Sequence, residues 1–92
     1  MIQGTTKSGF NYSIDDDALD DQELLDAFMD MDNGNLSAYR DAIIRLLGKE
    51  QKERLYDYLR DNGSKRVSAK AVAETFAEIL GDASERSSAA KN

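Results

Sequence analysis

The chain has 92 residues and contains no cysteine, histidine, proline or tryptophan. Without cysteine and histidine it forms neither a disulfide nor a thiolate or imidazole metal site. The serine–histidine, cysteine–histidine and zinc-hydroxide mechanisms are excluded for the same reason. Only carboxylate, lysine, tyrosine and hydroxyl groups are left for catalysis, and we expect no cofactor.

Long apolar runs are also missing. The longest uninterrupted apolar stretches span a few residues, and the first residues lack a positively charged start followed by an apolar segment. This pattern predicts neither a membrane span nor a secretion signal, and it favours the cytoplasm. With 40% hydrophobic and 33% charged residues, the chain fits one small domain. A chain this short depends on helix packing or self-association for extra stability.

The net charge of −6 is unevenly distributed. Residues 1–36 contain nine acids and one base, whereas residues 37–92 contain nine acids and eleven bases. One interpretation is a solvated acidic helix face that keeps the protein in solution. The other is an electrostatic dipole that aligns copies head to tail or meets a basic partner.

Turn signals divide the chain into a hairpin followed by helices. Apolar and polar residues alternate over residues 10–14, which predicts the second strand of a short hairpin within residues 1–14. Four amphipathic segments predict helices at residues 20–31, 37–47, 50–61 and 69–80. The expected fold class is mainly α, a small four-helix bundle with a short N-terminal β-hairpin.

Local signals also predict the helix ends, the core and the domain limits. Asp20 is the expected N-cap of the first helix, with Glu23 completing a capping box, and Ser37 is the expected cap of the second. The helical domain is predicted to span residues 1–81. Residues 82–92 contain no large apolar side chain, so a disordered tail is expected there. The predicted core consists of Phe10, Ile14, Leu24, Phe28, Ile43, Leu47, Leu55, Leu59, Val72, Phe76 and Leu80.

Two acidic motifs invite a metal-site interpretation. Residues 30–35 suggest a calcium loop, but placing Gly34 at the glycine position puts Met29 and Met31 at ligand positions and Arg40 where a glutamate is required. The acids of residues 15–21 are crowded on one segment, which is typical of a solvated helix start rather than of carboxylates tuned for catalysis. We therefore expect no metal site.

The segment of residues 46–59 also fits a helix-turn-helix, because two helices meet at Gly48 and basic residues are available for phosphate contacts. Acidic residues such as Glu50 and Asp57 interrupt that basic surface, as on an ordinary solvated helix. A small phage or bacterial regulator, acting through this motif or as an acidic DNA mimic, is the alternative function.

Read together, several segments carry a family resemblance. They are SGFNYSID, the acidic helix DDQELLDAFMDMDNGN, and RLLGKEQKERLYDYLRDNGSKRVSAKAVAETFAEIL with a small-residue tail. This layout resembles the small tail assembly chaperones of long-tailed phages and prophages of Gram-positive bacteria, and it covers nearly the whole chain. The resemblance implies a non-catalytic protein that binds the helical tape measure protein and keeps it soluble until the tail tube protein polymerises around it.

The same resemblance implies action in the cytoplasm of the bacterial host and absence from the mature virion. A longer form made by ribosomal frameshifting is frequent in that family. Homo-oligomers are a further expected partner class, whereas membrane and nucleic acid are not expected. Five apolar or amphipathic residues are the candidates for binding a helical client, with the core or its edge as their alternative place: Met29, Met31, Tyr39, Tyr56 and Tyr58.

Overall fold

A computed structural model describes residues 1–60 and 65–90, and the chain is mainly helical within them. Two strands precede four helices, which confirms the predicted fold class of a small helical bundle with an N-terminal hairpin. The elements are β1 (Ile2–Thr5), β2 (Asn11–Ile14), α1 (Gln22–Asp32), α2 (Leu36–Leu47), α3 (Lys49–Leu59) and α4 (Ala69–Ala90).

The hairpin is antiparallel, with Ile2 opposite Ile14 and Gly4 opposite Tyr12. Its turn closes where the Thr6 N–H donates to the Phe10 carbonyl at 2.9 Å. The inner face of the hairpin is buried, whereas its outer face is largely exposed. Because a two-stranded hairpin is marginal alone, this buried face depends on the helices beneath it.

The N-cap of helix α1 lies one residue later than predicted. Its N-cap is Asp21, whose carboxylate accepts the N–H groups of Glu23 and Leu24 at 2.9 and 3.4 Å. The predicted cap at Asp20 and its capping box with Glu23 are therefore wrong. Either aspartate suits a cap by residue type, but only Asp21 also receives the side chain of Arg45, which fixes its position.

Helix α2 begins earlier than predicted, because Asn35 rather than Ser37 is the N-cap. The Asn35 side-chain oxygen accepts the Ser37 N–H at 3.1 Å. At the other end, Gly48 has a φ of 84° and separates α2 from α3, as its predicted role at the helix end requires. Helix α3 ends at Leu59. Arg60 is its C-cap and has an extended backbone, so the predicted end at residue 61 is wrong. The predicted turn at residues 62–63 lies outside the described residues.

Helix α4 extends well beyond its predicted end. The predicted stop at Gly81 is wrong, and residues 82–90, expected as a disordered tail, continue the helix. The reason is contact with the hairpin: the Asp82 carboxylate accepts the Tyr12 hydroxyl, and Ala83 is fully buried. The small residues of this segment therefore allow close packing. Residues 91–92 lie outside the described part of the chain.

The core lies between the hairpin and the four helices. Most of the predicted core residues are buried, whereas Phe28, Leu59 and Leu80 are only partly buried at its edge. Further buried residues not in the predicted set include Ile2, Tyr12, Ala42, Leu46, Ile79 and Ala83. Helix α1 packs on α2, and α4 packs under β1, so both ends of the chain meet the same core.

Candidate functional site

Helix α1 carries an apolar stripe that faces solvent. Leu25 and Met29 are 50% and 62% exposed and lie one helical turn apart. The opposite side of the same helix buries Leu24 and Ala27 in the core. Helix α1 therefore has two apolar faces, and only one of them is used for folding. We refer to Leu25 and Met29 as the α1 stripe.

Acidic side chains border the α1 stripe. At 100° per residue, Asp26 lies to one side of it and Asp32 to the other, and both are exposed. The Asp26 carboxylate accepts a hydrogen bond from Gln22 at 3.0 Å. An exposed apolar strip between carboxylates favours a partner that combines apolar and basic side chains.

A charged tie holds α1 in place on α2. Arg45 donates to both carboxylate oxygens of Asp21 at 3.0 and 3.2 Å, and lies 3.5 Å from Glu23. Desolvation raises the pKa of Asp21, but the hydrogen bond from Arg45 and the N–H groups of the helix start outweigh it, so the pKa is lowered overall. This tie presents the stripe on a fixed scaffold.

The structure does not bring the five predicted client-binding residues together. Met29 lies on the α1 stripe, whereas Met31, Tyr39 and Tyr56 are partly buried against the core. Tyr58 is 46% exposed but lies on α3 beside the hairpin turn. The residues predicted as one surface therefore occupy three separate places.

Tyr39 and Tyr56 are engaged within the chain. The Tyr39 ring meets Phe76 edge-on with the ring centroids 5.9 Å apart. Its hydroxyl is buried without a hydrogen-bond partner among the described residues. Burial, followed by the neighbouring Tyr56, raises the pKa of Tyr39 above its ordinary value. Lys52 lies 5.0 Å from the centre of the Tyr56 ring. Both tyrosines act as core-edge residues.

Tyr58 attaches the hairpin turn to α3. Its hydroxyl donates to the Ser8 carbonyl, and its ring centroid lies 5.5 Å from that of Phe10. The guanidinium of Arg54 lies 5.2 Å from the same Phe10 ring. The exposed part of Tyr58 therefore belongs to a structural contact, which reduces what it offers a client.

The two acidic motifs lie at the two ends of α1, in the turns that precede it and at its C-cap. Asn33 is the C-cap of α1, and Gly34 follows with a φ of 90°. In the preceding loop, Asp16 lies 2.6 Å from the N-terminal amino group of Met1. Over residues 1–60 and 65–90, no three carboxylates stand close enough together to hold a metal ion.

The α2–α3 pair departs from a helix-turn-helix. Its connection is the single residue Gly48, whereas a helix-turn-helix uses a turn of three or four residues. The side chains of Gln51 and Arg54, which such a motif would direct to a groove, hydrogen-bond to the hairpin backbone instead. The first turns of α3 are thus occupied by an intramolecular contact.

Leu25 is an exposed apolar residue that is absent from the five sequence-based candidates. The signal was present in the helical spacing, because Leu25 and Met29 fall about 100° away from Leu24 and Phe28 around the helix. A helix with apolar residues over so wide an arc has more apolar surface than one core face needs.

Comparisons of the chain with protein-family models, curated proteins and solved structures found no match. Among the described residues, no helix combines the length and the hydropathy that crossing a membrane requires.

Proposed function

We propose that this protein is a phage tail assembly chaperone, which binds the tape measure protein and keeps it soluble until the tail tube protein polymerises around it. The observation that carries the proposal is the exposed α1 stripe, Leu25 and Met29, between acidic side chains. The sequence resemblance to tail assembly chaperones supplies the client.

The stripe suits a helical client. Two apolar side chains one turn apart match the i, i+4 anchors of an amphipathic helix. Met29 adds a flexible, polarisable side chain, which tolerates clients whose apolar faces vary in shape. The flanking Asp26 and Asp32 favour client helices with lysine or arginine beside their apolar face. The binding mode requires no titratable group.

The decisive experiment replaces Leu25 and Met29 together with glutamine, which keeps helix propensity while removing the apolar surface. Co-expression of the natural chain with the tape measure protein should move the client into the soluble fraction. The double variant should lose most of that rescue. Burying a fully exposed apolar side chain contributes about 1.5 to 3 kcal/mol. Because Leu25 and Met29 are 50% and 62% exposed, the pair together should contribute roughly that amount, so affinity should fall on the order of tenfold to a hundredfold.

The matched control replaces Ala73 and Ala77 with glutamine. These residues are also exposed and one turn apart, but they lie on α4 and present little apolar surface. The control should rescue the client as well as the natural chain does. Equal rescue by the Leu25/Met29 variant, with circular dichroism showing an intact fold in all three proteins, would refute the α1 stripe as the client site.

A second experiment tests the alternative function, a regulator that binds DNA. At low salt, the electrophoretic mobility of duplex DNA should not change when the purified protein is added, because the chaperone mechanism involves no contact with phosphates. Binding that weakens steeply as salt rises would instead indicate phosphate contacts and favour the regulator.

A further inference from the structure

The two outer edges of the hairpin differ. The edge of β2 is covered by α3: the Gln51 side-chain amide accepts the Ser13 N–H at 2.8 Å and donates to the Ser13 carbonyl. Next to it, Arg54 donates to the Asn11 carbonyl at 2.8 Å. Gln51 thus pairs with Ser13 as a neighbouring strand residue would, and this edge has no room for another strand.

The edge of β1 is open. The Thr6 N–H points at β2, so the alternation of an antiparallel ladder directs the backbone groups of Gln3 and Thr5 away from β2. Both residues are exposed, and their N–H and C=O groups have no other partner among the described residues. β1 also lacks the lysine, proline or bulge that commonly protects an edge strand.

We propose that the open edge of β1 pairs with β1 of a second copy of this chain. In an antiparallel pairing centred on Gly4, Gln3 lies opposite Thr5 of the second copy, and Thr5 lies opposite its Gln3. Each of these two pairs exchanges two hydrogen bonds, and the two hairpins become one four-stranded sheet. We choose a second copy as the partner because acidic and basic side chains on α4 of one copy would meet side chains of opposite charge on α4 of the other.

The charges in question flank the centre of that pairing. The side chain of Asp82 lies against Gly4, and Glu78 and Arg86 stand one helical turn before and after it on the same face. Glu78 accepts the Lys7 N–H at 2.6 Å just past the end of β1. Arg86 donates to the Asp82 carboxylate at 2.9 Å, and it lines a hollow that also includes residues 3–5 of β1 and residues 11–13 of β2.

A two-fold axis between the Gly4 residues of the two copies exchanges the two ends of β1. It therefore brings Glu78 of each copy towards Arg86 of the other, which makes two attractive contacts. The two Asp82 carboxylates lie nearer the axis, and each is held by Tyr12 and Arg86 of its own copy. An unrelated strand offers no such match. The resulting dimer is closed, unlike the head-to-tail stacking that the charge asymmetry of the sequence suggested. The dimer does not involve the α1 stripe, so its test is independent of the test of the proposed function.

The first test is the mass of the full chain by sedimentation equilibrium over a wide concentration range at low salt. A dimer is expected, and Gln3→Pro should shift it to a monomer because proline removes an outward N–H from the edge. Gln3→Thr keeps that N–H and a strand-forming side chain, so it should remain dimeric. A natural chain that is monomeric throughout, or a Gln3→Pro variant that is folded and still dimeric, overturns the proposal.

Charge exchange on α4 provides a second test that does not change the strand. Glu78→Arg and Arg86→Glu should each shift the protein towards monomer, and the double exchange should restore the dimer although it also loses the intramolecular contacts of both side chains. Amide exchange should be slow at Gln3 and Thr5 in the dimer and fast in the Glu78→Arg monomer. Fast exchange at both amides in a dimeric natural chain would place the interface elsewhere and overturn the proposal.

Discussion

Gly4 is the residue that allows α4 to reach the hairpin. It lies opposite Tyr12, whose buried ring crosses Gly4 on its way to Asp82. A Cβ atom at Gly4 would collide with the Tyr12 ring and with the Asp82 carboxylate. The ring cannot move aside because it is 2% exposed. The need for glycine here is therefore steric and arises from a contact between distant parts of the chain.

Gly4→Ala should destabilise the protein by about 1 to 3 kcal/mol, the usual cost of forcing extra volume into a packed site. Urea unfolding at neutral pH measures it. The control is Gly81→Ala, where a Cβ meets nothing and the residue lies inside a helix. That variant should be more stable by roughly 0.5 to 1 kcal/mol. Unchanged stability in Gly4→Ala would mean that α4 does not approach the hairpin this closely.

Among the secondary-structure elements, α4 differs most from its sequence-based prediction. The hairpin and the first three helices were predictable because their signals are local: alternation in β2, the amphipathic spacing of the helices, and Gly48 between α2 and α3. The cap residues were not, because several neighbouring side chains suit a cap equally well. The continuation of α4 past Gly81 depends on Tyr12, which is 70 residues before Asp82. A contact with so distant a residue leaves no signal in the sequence around Gly81. A glycine followed by small residues is therefore interpreted as a helix end.

Removing residues 82–92 should therefore destabilise the protein, although the sequence alone marks this segment as dispensable. The truncation leaves the buried Tyr12 hydroxyl without its acceptor, at a cost of about 1 to 3 kcal/mol, and exposes the site covered by Ala83. Chemical denaturation compares it with a shorter truncation of residues 88–92, which keeps both contacts and should cost little. Equal stability of the natural and both shortened chains would contradict the role assigned to the end of α4.

Over the whole molecule, the architecture was predictable but the place of the candidate binding surface was not. Periodicity identifies which residues are apolar on each helix, and the five candidates from Met29 to Tyr58 were chosen on that basis. Which of them remain exposed depends on where the hairpin and α4 pack, and this arrangement buries part of Tyr39 and Tyr56 and engages Tyr58. The same packing leaves Leu25 and Met29 in solvent.

The absence of histidine gives the whole molecule a distinctive stability profile. Two of the polar contacts between its elements contain carboxyl groups with shifted pKa values: Asp21 with Arg45 joins α1 to α2, and Tyr12 with Asp82 and Arg86 joins the hairpin to α4. The hydrogen bonds from Tyr12 and Arg86 lower the pKa of Asp82, and the pKa of Asp21 is lowered as well. Desolvation, together with the hydrogen bond to Asp82, raises the pKa of Tyr12 to about 12.

The free energy of unfolding should therefore change little between about pH 5 and pH 9, where no histidine titrates. A carboxyl with a lowered pKa stabilises the fold above its ordinary value of 3.8, and that contribution is lost as the pH falls below it. A tyrosine with a raised pKa stabilises the fold below its ordinary value of 10.0, and that contribution is lost as the pH rises towards about 12.

Urea titrations from pH 2 to pH 12 measure the loss of stability at both the acid and the alkaline end of this range. Asp82→Asn should reduce the loss of stability at acid pH to the part contributed by Asp21. Glu85→Gln, which removes a carboxylate that has no hydrogen bond or ion pair within residues 1–60 and 65–90, should leave that loss unchanged. An identical loss at acid pH in the two variants would show that Asp82 does not hold the hairpin to α4.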